Sequence, residues 1–293
     1  MEREAAELHM HSRPALDFAM ENFAALDPRK SLKRSWRQPQ WTVIIPFFNE
    51  QEFIAEALRS VATQYERPEL ILVDNRSTDR SRAIAEAECE RLGLAYVLLD
   101  ERQPGKVHAL RAGLAWVRTP FVATFDADTS YPPNYLESAT RLLKHDKCVG
   151  AQAYYVRSHW RSTRRFLAAA HLICATWLLP NQCHNGGAGQ VFITDVLRHS
   201  GGFDADRWNL ILEDHEIVHR VSRFGHFRCS RDFWCCPSRR ERDLPVLRWS
   251  LGERLAYHFT PARFQSKFFY DFLGPRLTAR GLLGSAARNR RTS

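Results

Sequence analysis

Four apolar strands recur from residue 41 onward, at about the length of a strand–helix–strand unit. The predicted strands begin at Trp41, Leu70, Tyr96 and Phe121, and segments with a helical spacing of apolar residues lie between them. Strands that are continuously apolar are typical of a parallel sheet covered on both faces. The pattern therefore predicts an α/β domain with a mainly parallel sheet flanked by helices.

The fourth strand ends in two carboxylates, Asp126 and Asp128, separated by Ala127. In open α/β sheets, ligands bind outside the carboxyl ends of the strands. Two acids on a segment that turns as it leaves the sheet can converge on one ligand, and their oxygens suit Mg²⁺ or Mn²⁺. We therefore expect a divalent cation that carries a diphosphate. The alternative is that both acids only form a turn, since Asp is common in turns.

Two common phosphate-binding motifs are missing from the sequence. No G-x-G-x-x-G follows the first strand, which disfavours a dehydrogenase, and there is no P-loop. Metal and side chains are therefore expected to bind the phosphate. The net charge of +9 attracts anions in general. The basic residues are spread through the chain without a nucleic-acid motif, so nucleic acid is not expected as a partner.

The cysteines and the start of the chain indicate a cytoplasmic protein. The seven cysteines form no paired C-x-x-C set, which fits reduced thiols better than a disulfide framework or a zinc site. The first residues are acidic and lack an apolar signal core. The longest apolar run, residues 166–179, is shorter than the roughly 20 residues that a spanning helix needs, and we predict that it forms a buried helix.

Four short motifs in this order resemble the signatures of glycosyltransferase family 2. They are VIIPFFNE at 43–50, VDNRSTD at 73–79, GKVHAL at 105–110 and DAD at 126–128. The resemblance spans roughly residues 41–225. It implies the GT-A fold, a Rossmann-like, mixed but mainly parallel sheet flanked by helices. It also implies transfer of a sugar from a nucleotide-sugar with inversion.

The resemblance places a donor site at the strand ends. In this family, the first strand end contacts the nucleoside, an acid after the second strand accepts a hydrogen bond from the base, and a lysine approaches the diphosphate. The implied nucleotide-sugar-binding residues are Pro46, Phe48, Glu50, Asp74, Lys106, Asp126, Ala127 and Glu213. Asp128, together with Asp126, would ligate Mn²⁺ or Mg²⁺. Core packing for Phe48 and an exposed helix position for Lys106 remain alternatives.

A second acidic motif lies at 212–216, where Leu-Glu-Asp-His-Glu opens a predicted helix. It looks like the family's Glu-Asp pair, whose Asp is the general base, so Asp214 is the expected catalytic residue. Inversion requires one base that deprotonates the acceptor hydroxyl. The alternative is that Glu213 and Asp214 only favour the positive end of the helix. Because that dipole lowers the basicity of a carboxylate, Asp214 would act through its position.

Three further features have two interpretations each. The glycine-rich stretch 185–190 either lets the backbone approach the sugar and acceptor closely or is a plain flexible loop. Arg239 or Arg240 either closes over the donor or belongs to a solvated basic loop. His258 is either an additional metal ligand, as a histidine is in some GT-A enzymes, or a structural residue.

The chain is expected to have four segments. They are an N-terminal arm at 1–40, a nucleotide-sugar-binding half at 41–150, an acceptor-binding and catalytic half at 151–245, and a mostly helical, basic and aromatic segment at 246–293. The last segment either packs as core helices or lies on an anionic membrane surface. Peripheral contact with the inner face of the membrane is therefore a second expectation about location.

These observations predict an inverting, metal-dependent glycosyltransferase that moves a sugar from a nucleoside-diphosphate sugar to a hydroxyl of a glycan, lipid-linked or small-molecule acceptor. The Q-x-x-R-W motif of processive members is missing, because Arg248-Trp249 lacks its Gln, so we expect a non-processive enzyme that adds one sugar or a few. One alternative is a sugar nucleotidyltransferase, although those enzymes have a Gly-rich, Arg-containing loop after the first strand. Another is a non-catalytic nucleotide-sugar-binding protein, which would not need Asp214.

Overall fold

The computed structural model describes residues 39–157, 161–238 and 249–284. Most of the predicted N-terminal arm lies outside these residues, as do Arg239, Arg240 and Arg248. The division of the chain into four segments stays a prediction.

Strands and helices alternate through the first part of the chain, as the sequence predicts. These elements are β1 (Trp41–Phe47), α1 (Ile54–Ala62), β2 (Glu69–Asp74), α2 (Ser81–Leu92), β3 (Tyr96–Asp100), α3 (Lys106–Trp116), β4 (Phe121–Thr124), β5 (Thr129–Ser130) and α4 (Tyr135–Leu143). The later elements are β6 (Cys148–Gln152), β7 (Tyr154–Tyr155), α5 (Ser162–Leu178), β8 (Gln190–Ile193), α6 (Thr194–His199), α7 (Glu213–Val221), β9 (His226–Arg228), β10 (Trp234–Pro237), α8 (Leu251–Phe259), α9 (Gln265–Lys267), a π-helical turn (Phe268–Leu273) and α10 (Gly274–Ala279).

The main sheet has seven strands in the order β3-β2-β1-β4-β8-β6-β9. The first four strands are parallel, β8 is antiparallel to both of its neighbours, and β9 is parallel to β6. The chain moves outward from β1 to β3 and then returns to the other side of β1 as β4. The carboxyl ends of β1 and β4 therefore flank the switch point, where open α/β sheets bind ligands.

Burial on both faces explains why the central strands are apolar throughout. Val43, Ile44 and Ile45 of β1 have no exposed surface, and the same holds for Val122 and Ala123 of β4. Side chains at this depth are strongly stabilised by removal from water, at about 1.5–3 kcal/mol for each large aliphatic residue. The acids at the strand ends are thereby held on a rigid support.

A small second sheet covers the segment that follows β4. Its order is β5-β10-β7, and the Ser238 N–H just after β10 donates to the carbonyl oxygen of Asp128 at 2.8 Å. The turn that contains Asp128 is thus held by hydrogen bonds from a segment that is distant in the sequence. Sequence periodicity could not predict this sheet, because strands of two to four residues carry no recognisable pattern.

The apolar run at 166–179 forms a helix, α5, but the prediction that it is buried is wrong. Only Ala169, Leu172 and Thr176 of this helix are buried. Its opposite side is exposed and consists largely of Phe, Leu, Ile and Trp side chains. Among the residues that the structure describes, no helix has both the length and the apolar content needed to cross a bilayer.

The C-terminal segment contains its own aromatic cluster. Tyr257, Phe268, Phe269 and Leu273 are buried together with Trp208, which comes from the loop before α7. Much of the segment therefore packs as core helices, one of the two expected arrangements. Several apolar side chains of α8 nevertheless remain exposed.

Candidate active site

The carboxyl edge of the sheet brings the predicted lysine and the first predicted acid together. Lys106 is the first residue of α3, and its Nζ lies 2.7 Å from Asp126 Oδ1, just after β4. The same Nζ lies 3.8 Å from Glu213 Oε1 at the start of α7. Elements that are far apart in the sequence therefore converge on one cation. Lys106 is not a solvated helix lysine, which was the alternative.

The Asp126–Asp128 turn is held by an aromatic support. The Asp126 N–H donates to the Tyr131 hydroxyl at 2.9 Å, and the Tyr131 ring stacks on Phe125 with centroids 3.5 Å apart. The Thr129 hydroxyl donates to Asp128 Oδ1 at 3.3 Å, and Ala127 is buried between the two acids. The turn therefore has a defined shape, and its two carboxylates provide the hard oxygen donors that Mg²⁺ and Mn²⁺ prefer.

Asp214 is positioned by an unusual start of helix α7. Leu212, the residue before the helix, has a φ of +67°, a conformation that non-glycine residues rarely adopt and that is found preferentially at functional sites. Gln190 at the start of β8 donates its side-chain amide to the Asp214 carbonyl at 3.3 Å. The backbone of Asp214 is thereby held at the edge of the sheet, next to β8.

The glycine-rich stretch lies directly against Asp214. A Cβ atom on Gly187 would come within 3.1 Å of Asp214 Cβ and 3.4 Å of Lys106 Nζ, and one on Gly186 would come within 3.3 Å of Asp214 Oδ2. A side chain at either position would require these neighbours to shift, so glycine favours this close approach of the backbone. Asn185 and Gly189 anchor the ends of this stretch by hydrogen bonds to Ala153 and Tyr135. The backbone therefore closely approaches Asp214, whereas its predicted approach to a sugar or acceptor stays a prediction.

The charges in this cleft shift one another's pKa values. Burial alone would lower the pKa of Lys106, but Asp126, Glu213 and Asp214 raise it, so the side chain stays charged. Burial raises the pKa of Glu213, an effect that Lys106 opposes and Asp214 reinforces. Burial also acts to raise the pKa of Asp214, but His215 and Lys106 outweigh it and hold the pKa below its usual value. Asp214 is therefore an ionised carboxylate at neutral pH.

His215 is the partner of Asp214 that the sequence analysis missed. Its Nδ1 lies 2.8 Å from Asp214 Oδ1, and its backbone N–H donates to the same oxygen at 2.8 Å. Burial would lower the pKa of His215, but Cys183 and Asp214 raise it well above the usual value. One oxygen of Asp214 is thus occupied by His215, while the other, Oδ2, lies near Gly186 and Gly187.

The remaining predicted donor residues lie along the ends of β1 and β2. Asp74 is buried, accepts a hydrogen bond from the Ser77 N–H at 2.8 Å, and lines a cavity of about 420 Å³ beside Arg76 and residues 100–102. Glu50 is buried, whereas Pro46 and Phe48 are half-buried. These residues surround the same edge of the sheet as Asp126.

Asn75 shapes this part of the site in a way that the sequence did not reveal. Its amide donates to the carbonyls of Glu101 and Gln103, at 3.0 and 2.7 Å, and its oxygen accepts from the Gly105 N–H at 2.8 Å. The side chain therefore fixes the loop that leads to Lys106.

A second cavity, of about 240 Å³, is lined by His215, the neighbour of Asp214 in the sequence, and is called the cavity behind Asp214 below. Its lining residues are Cys183, His184, His215, Trp249, Arg254, Tyr257 and His258. His258 Nδ1 is bonded to Gln182 Oε1 at 2.9 Å, and its ring lies parallel to that of His184. His258 therefore lies in this cavity, and its two predicted roles, metal ligand or structural residue, stay predictions.

The sequence model of glycosyl transferase family 2 matches residues 42–201, more than half of the chain. The chain belongs to glycosyl transferase family 2. This confirms the predicted family, and the matched range includes every predicted site residue except Glu213 and Asp214.

The family 2 chain is also similar to curated proteins over part of its length. It is 35% identical over 130 residues to undecaprenyl-phosphate 4-deoxy-4-formamido-L-arabinose transferase of Sodalis glossinidius, which is 42% of this chain and 37% of that protein. It is 30% identical over 164 residues to dodecaprenyl-phosphate galacturonate synthase of Rhizobium johnstonii, 52% of this chain and 44% of that one. The matches thus span less than half the length of these relatives.

Solved structures establish that this family 2 protein has the predicted GT-A fold. The mannosyltransferase PcManGT from Pyrobaculum calidifontis, in complex with GDP-Man and Mn²⁺, has a TM-score of 0.63 at 22% identity, over 92% of this chain and 79% of that one. S. aureus TarS 1–349 has a TM-score of 0.56 at 16% identity, over 80% of this chain and 70% of that one.

Proposed function

We propose that this family 2 chain is an inverting, metal-dependent glycosyltransferase that moves a sugar from a nucleoside-diphosphate sugar to a hydroxyl of an acceptor. The observation that carries the proposal is the convergence of Lys106, Asp126, Glu213 and Asp214 at one edge of the sheet, against the backbone of Gly186 and Gly187. A protein that only binds a nucleotide-sugar has no need of an ionised carboxylate such as Asp214 next to the donor residues.

On the donor side, the side chains at the strand ends would bind the nucleotide-sugar. Asp74 would accept a hydrogen bond from the base, with Pro46, Phe48 and Glu50 beside the nucleoside, and Lys106 would neutralise charge on the diphosphate. Ala127 and Glu213 would adjoin the ribose and the sugar. The buried supports of the turn keep these groups preorganised, which lowers the cost of stabilising a developing charge.

Asp126 and Asp128 would hold the divalent metal. When bound, Mg²⁺ or Mn²⁺ supplies Lewis-acid stabilisation of the leaving diphosphate. Lys106 pairs with Asp126 in this structure, so its ammonium group would lie close to a diphosphate held by the metal. The Mn²⁺ in the PcManGT complex supports this assignment by analogy of fold.

On the acceptor side, Asp214 would act as the general base. As the acceptor oxygen forms its bond to the anomeric carbon, the bond from that carbon to the diphosphate breaks, and the hydroxyl proton moves to Asp214. His215 occupies Oδ1, so Oδ2 would accept this proton. Because the pKa of Asp214 is lowered, its contribution comes from position and ionisation state, not from high basicity.

A phosphate acceptor is the second candidate, and the cavity behind Asp214 favours it. Arg254 and the protonated His215 are suited to an anion. The names of the two curated relatives also point to prenyl-phosphate acceptors. A phosphate oxygen is largely ionised at neutral pH, so Asp214 would then matter less as a base.

The test is a transfer assay with a panel of nucleoside-diphosphate sugars and Mn²⁺, in which hydroxyl acceptors and a short-chain prenyl phosphate are compared. We expect one donor to give a product whose anomeric configuration, measured by NMR, is opposite to that of the donor. A product of retained configuration would contradict the mechanism. Formation of a nucleotide-sugar from a nucleoside triphosphate would instead support the nucleotidyltransferase alternative.

Replacing His215 with phenylalanine should change the pH dependence of transfer in one direction. Burial raises the pKa of Asp214, whereas His215 and Lys106 lower it, so loss of the imidazole removes part of what opposes burial and raises the pKa. Asp214 would then be protonated at a higher pH, and the acidic limb of the kcat/KM profile should move to higher pH. The aromatic contacts of His215 with Trp249 and Tyr257 allow a phenyl ring to replace the imidazole.

His184→Phe is the matched control, since this ring lines the same cavity but is bonded to the Leu179 carbonyl. Its acidic limb should stay at the wild-type position. A His215→Phe profile that does not move, or that moves to lower pH, would show that His215 does not set the ionisation of Asp214.

A further inference from the structure

Helix α5 has an apolar face that points away from the protein core. Its buried stripe is Ala169, Leu172 and Thr176, at helical spacing. The opposite side carries Trp177, which is 80% exposed, and Leu178, which is 66% exposed. Large apolar side chains that are exposed side by side mark an interaction surface more often than chance exposure.

Helix α8 presents a second apolar stripe. Leu251, Leu255 and Phe259 follow one another at intervals of four residues, and all three are exposed, Phe259 by 80%. The inner side of the same helix buries Glu253 and Tyr257. Because residues four apart lie on one side of a helix, the exposed residues form one continuous row.

The C-terminal ends of these two helices are tied together. The Gln182 amide, four residues after α5, donates to the Tyr257 carbonyl at 3.1 Å, and its oxygen binds His258 Nδ1 at 2.9 Å. Phe259 directly follows His258, and Trp177 lies five residues before Gln182. The exposed residues of both helices, Phe166, Leu167, Trp177, Leu178, Leu251, Leu255 and Phe259, are together called the apolar face below.

Basic residues accompany the apolar face, and acidic residues are absent from its first part. Residues 161–194 contain no Asp or Glu, whereas Arg161, Arg164 and Arg165 begin the segment that includes α5. Around α8, Arg254, Arg263 and Lys267 are basic, and the one acid within the helix, Glu253, is buried and bonded to Arg280. This charge distribution complements an anionic surface.

We propose that the apolar face lies in the interface of an anionic phospholipid bilayer. Trp, Phe and Leu on one side of a helix, with Arg and Lys nearby, are the composition of interfacial helices. Trp and Phe would enter the boundary between headgroups and acyl chains, and the arginines would contact lipid phosphates. Lipid binding does not depend on the chemistry proposed at Asp214.

The same geometry bears on the acceptor, and this step rests on the proposed function. Arg254 and His258 belong to α8 and line the cavity behind Asp214. An acceptor whose lipid tail stays in the bilayer would therefore meet a cavity built from the helix that contacts the bilayer. A lipid-linked acceptor fits this arrangement better than a free glycan does.

The test is co-sedimentation of the purified chain with sucrose-loaded vesicles, without donor or metal. Vesicles of equal parts phosphatidylcholine and phosphatidylglycerol should bind the protein, and vesicles of phosphatidylcholine alone should bind it less. The variant Trp177→Glu/Phe259→Glu should lower the partition coefficient by at least about tenfold, because both changes place a charge where an apolar side chain would enter the membrane. Raising the salt concentration from about 0.1 M to about 1 M should weaken binding of the wild type.

Trp116→Glu is the matched control, since Trp116 is an exposed tryptophan at the end of α3. It should bind vesicles like the wild type, and so should Asp214→Asn, whose defect belongs to the proposed function alone. The inference is overturned if the wild type does not bind anionic vesicles, or if the double variant binds them equally well. Self-association of the wild type that the double variant abolishes, without vesicle binding, would instead assign the face to a second copy of the chain.

Discussion

Asp214→Asn is expected to lower kcat by about 10²–10⁴-fold, the usual contribution of a positioned general base. The amide keeps the size of the side chain and one oxygen, but it cannot accept the acceptor's proton. Lys106 and Asp126 still pair with each other, so binding of the donor should change little, by about twofold or less in Kd. Single-turnover kinetics together with a donor titration would separate the two effects.

Asp195→Asn is the matched control for this substitution. Asp195 is the second residue of helix α6, as Asp214 is of α7, and both lie in the first turn. If acids at these positions only favour the positive helix end, the two variants should lose similar small amounts of stability and keep similar activity. Transfer by Asp214→Asn at a rate near that of Asp195→Asn with a hydroxyl acceptor would remove Asp214 from the mechanism.

Glu216→Gln is expected to lower the free energy of unfolding by about 3–5 kcal/mol, because it leaves the buried guanidinium of Arg220 without its counter-charge. Glu216 and Arg220 form two hydrogen bonds, at 2.7 and 2.9 Å, and their side chains are only 2% and 5% exposed. The Tyr270 hydroxyl donates to the same carboxylate. This pair therefore joins α7, the helix that carries Asp214, to the C-terminal segment. Urea unfolding would measure the loss.

Glu137→Gln on α4 provides the comparison. Glu137 and Arg141 are also a Glu–Arg pair four residues apart, but they lie 3.6 Å apart and are 45% and 58% exposed. Removing this pair should cost only about 0.3–0.5 kcal/mol. A double substitution, Glu216→Leu with Arg220→Met, should recover much of the stability lost in Glu216→Gln. Equal losses for the two Glu→Gln variants would show that burial does not control the cost.

The sheet could be predicted from the sequence because each central strand is buried on both faces. This produces the uninterrupted apolar runs at 43–45 and 70–73. The loop lengths between them then fix parallel crossovers. The antiparallel insertion of β8 was not predictable, since it depends on contacts between segments more than 60 residues apart.

The burial of α5 was predicted wrongly from its apolar run. An apolar run with no charged residue predicts burial on all sides, yet Trp177 and Leu178 are exposed. The sequence gives the composition of a helix but does not tell whether protein or another phase covers each side. The exposed apolar side of α5 is the observation from which a membrane-binding surface is proposed.

The convergence of Lys106 and Asp126 at one edge of the sheet was predictable because both residues stand in short motifs next to strand and helix ends. The residues that pair with Asp214, or that hold the loop before Lys106, were not predictable. His215 stands next to Asp214 in the sequence, but its pairing with that carboxylate depends on the cavity formed by Cys183 and Tyr257. Asn75 likewise gains its role only when the loop at 101–105 folds over it. Such tertiary pairings leave no pattern in a single sequence.

The most direct measurement of the central claim is the thermal stability of the wild type and of Asp128→Asn with a panel of nucleoside diphosphates, each with and without Mn²⁺. At a ligand concentration of about 100 times Kd, binding adds about 2.7 kcal/mol, or roughly 5 °C in Tm. We expect one nucleotide to produce this rise in the wild type and in Asp214→Asn only when Mn²⁺ is present, and we expect Asp128→Asn to lose it. A full Mn²⁺-dependent rise in Asp128→Asn would contradict the account, since the metal and the diphosphate would then be bound elsewhere.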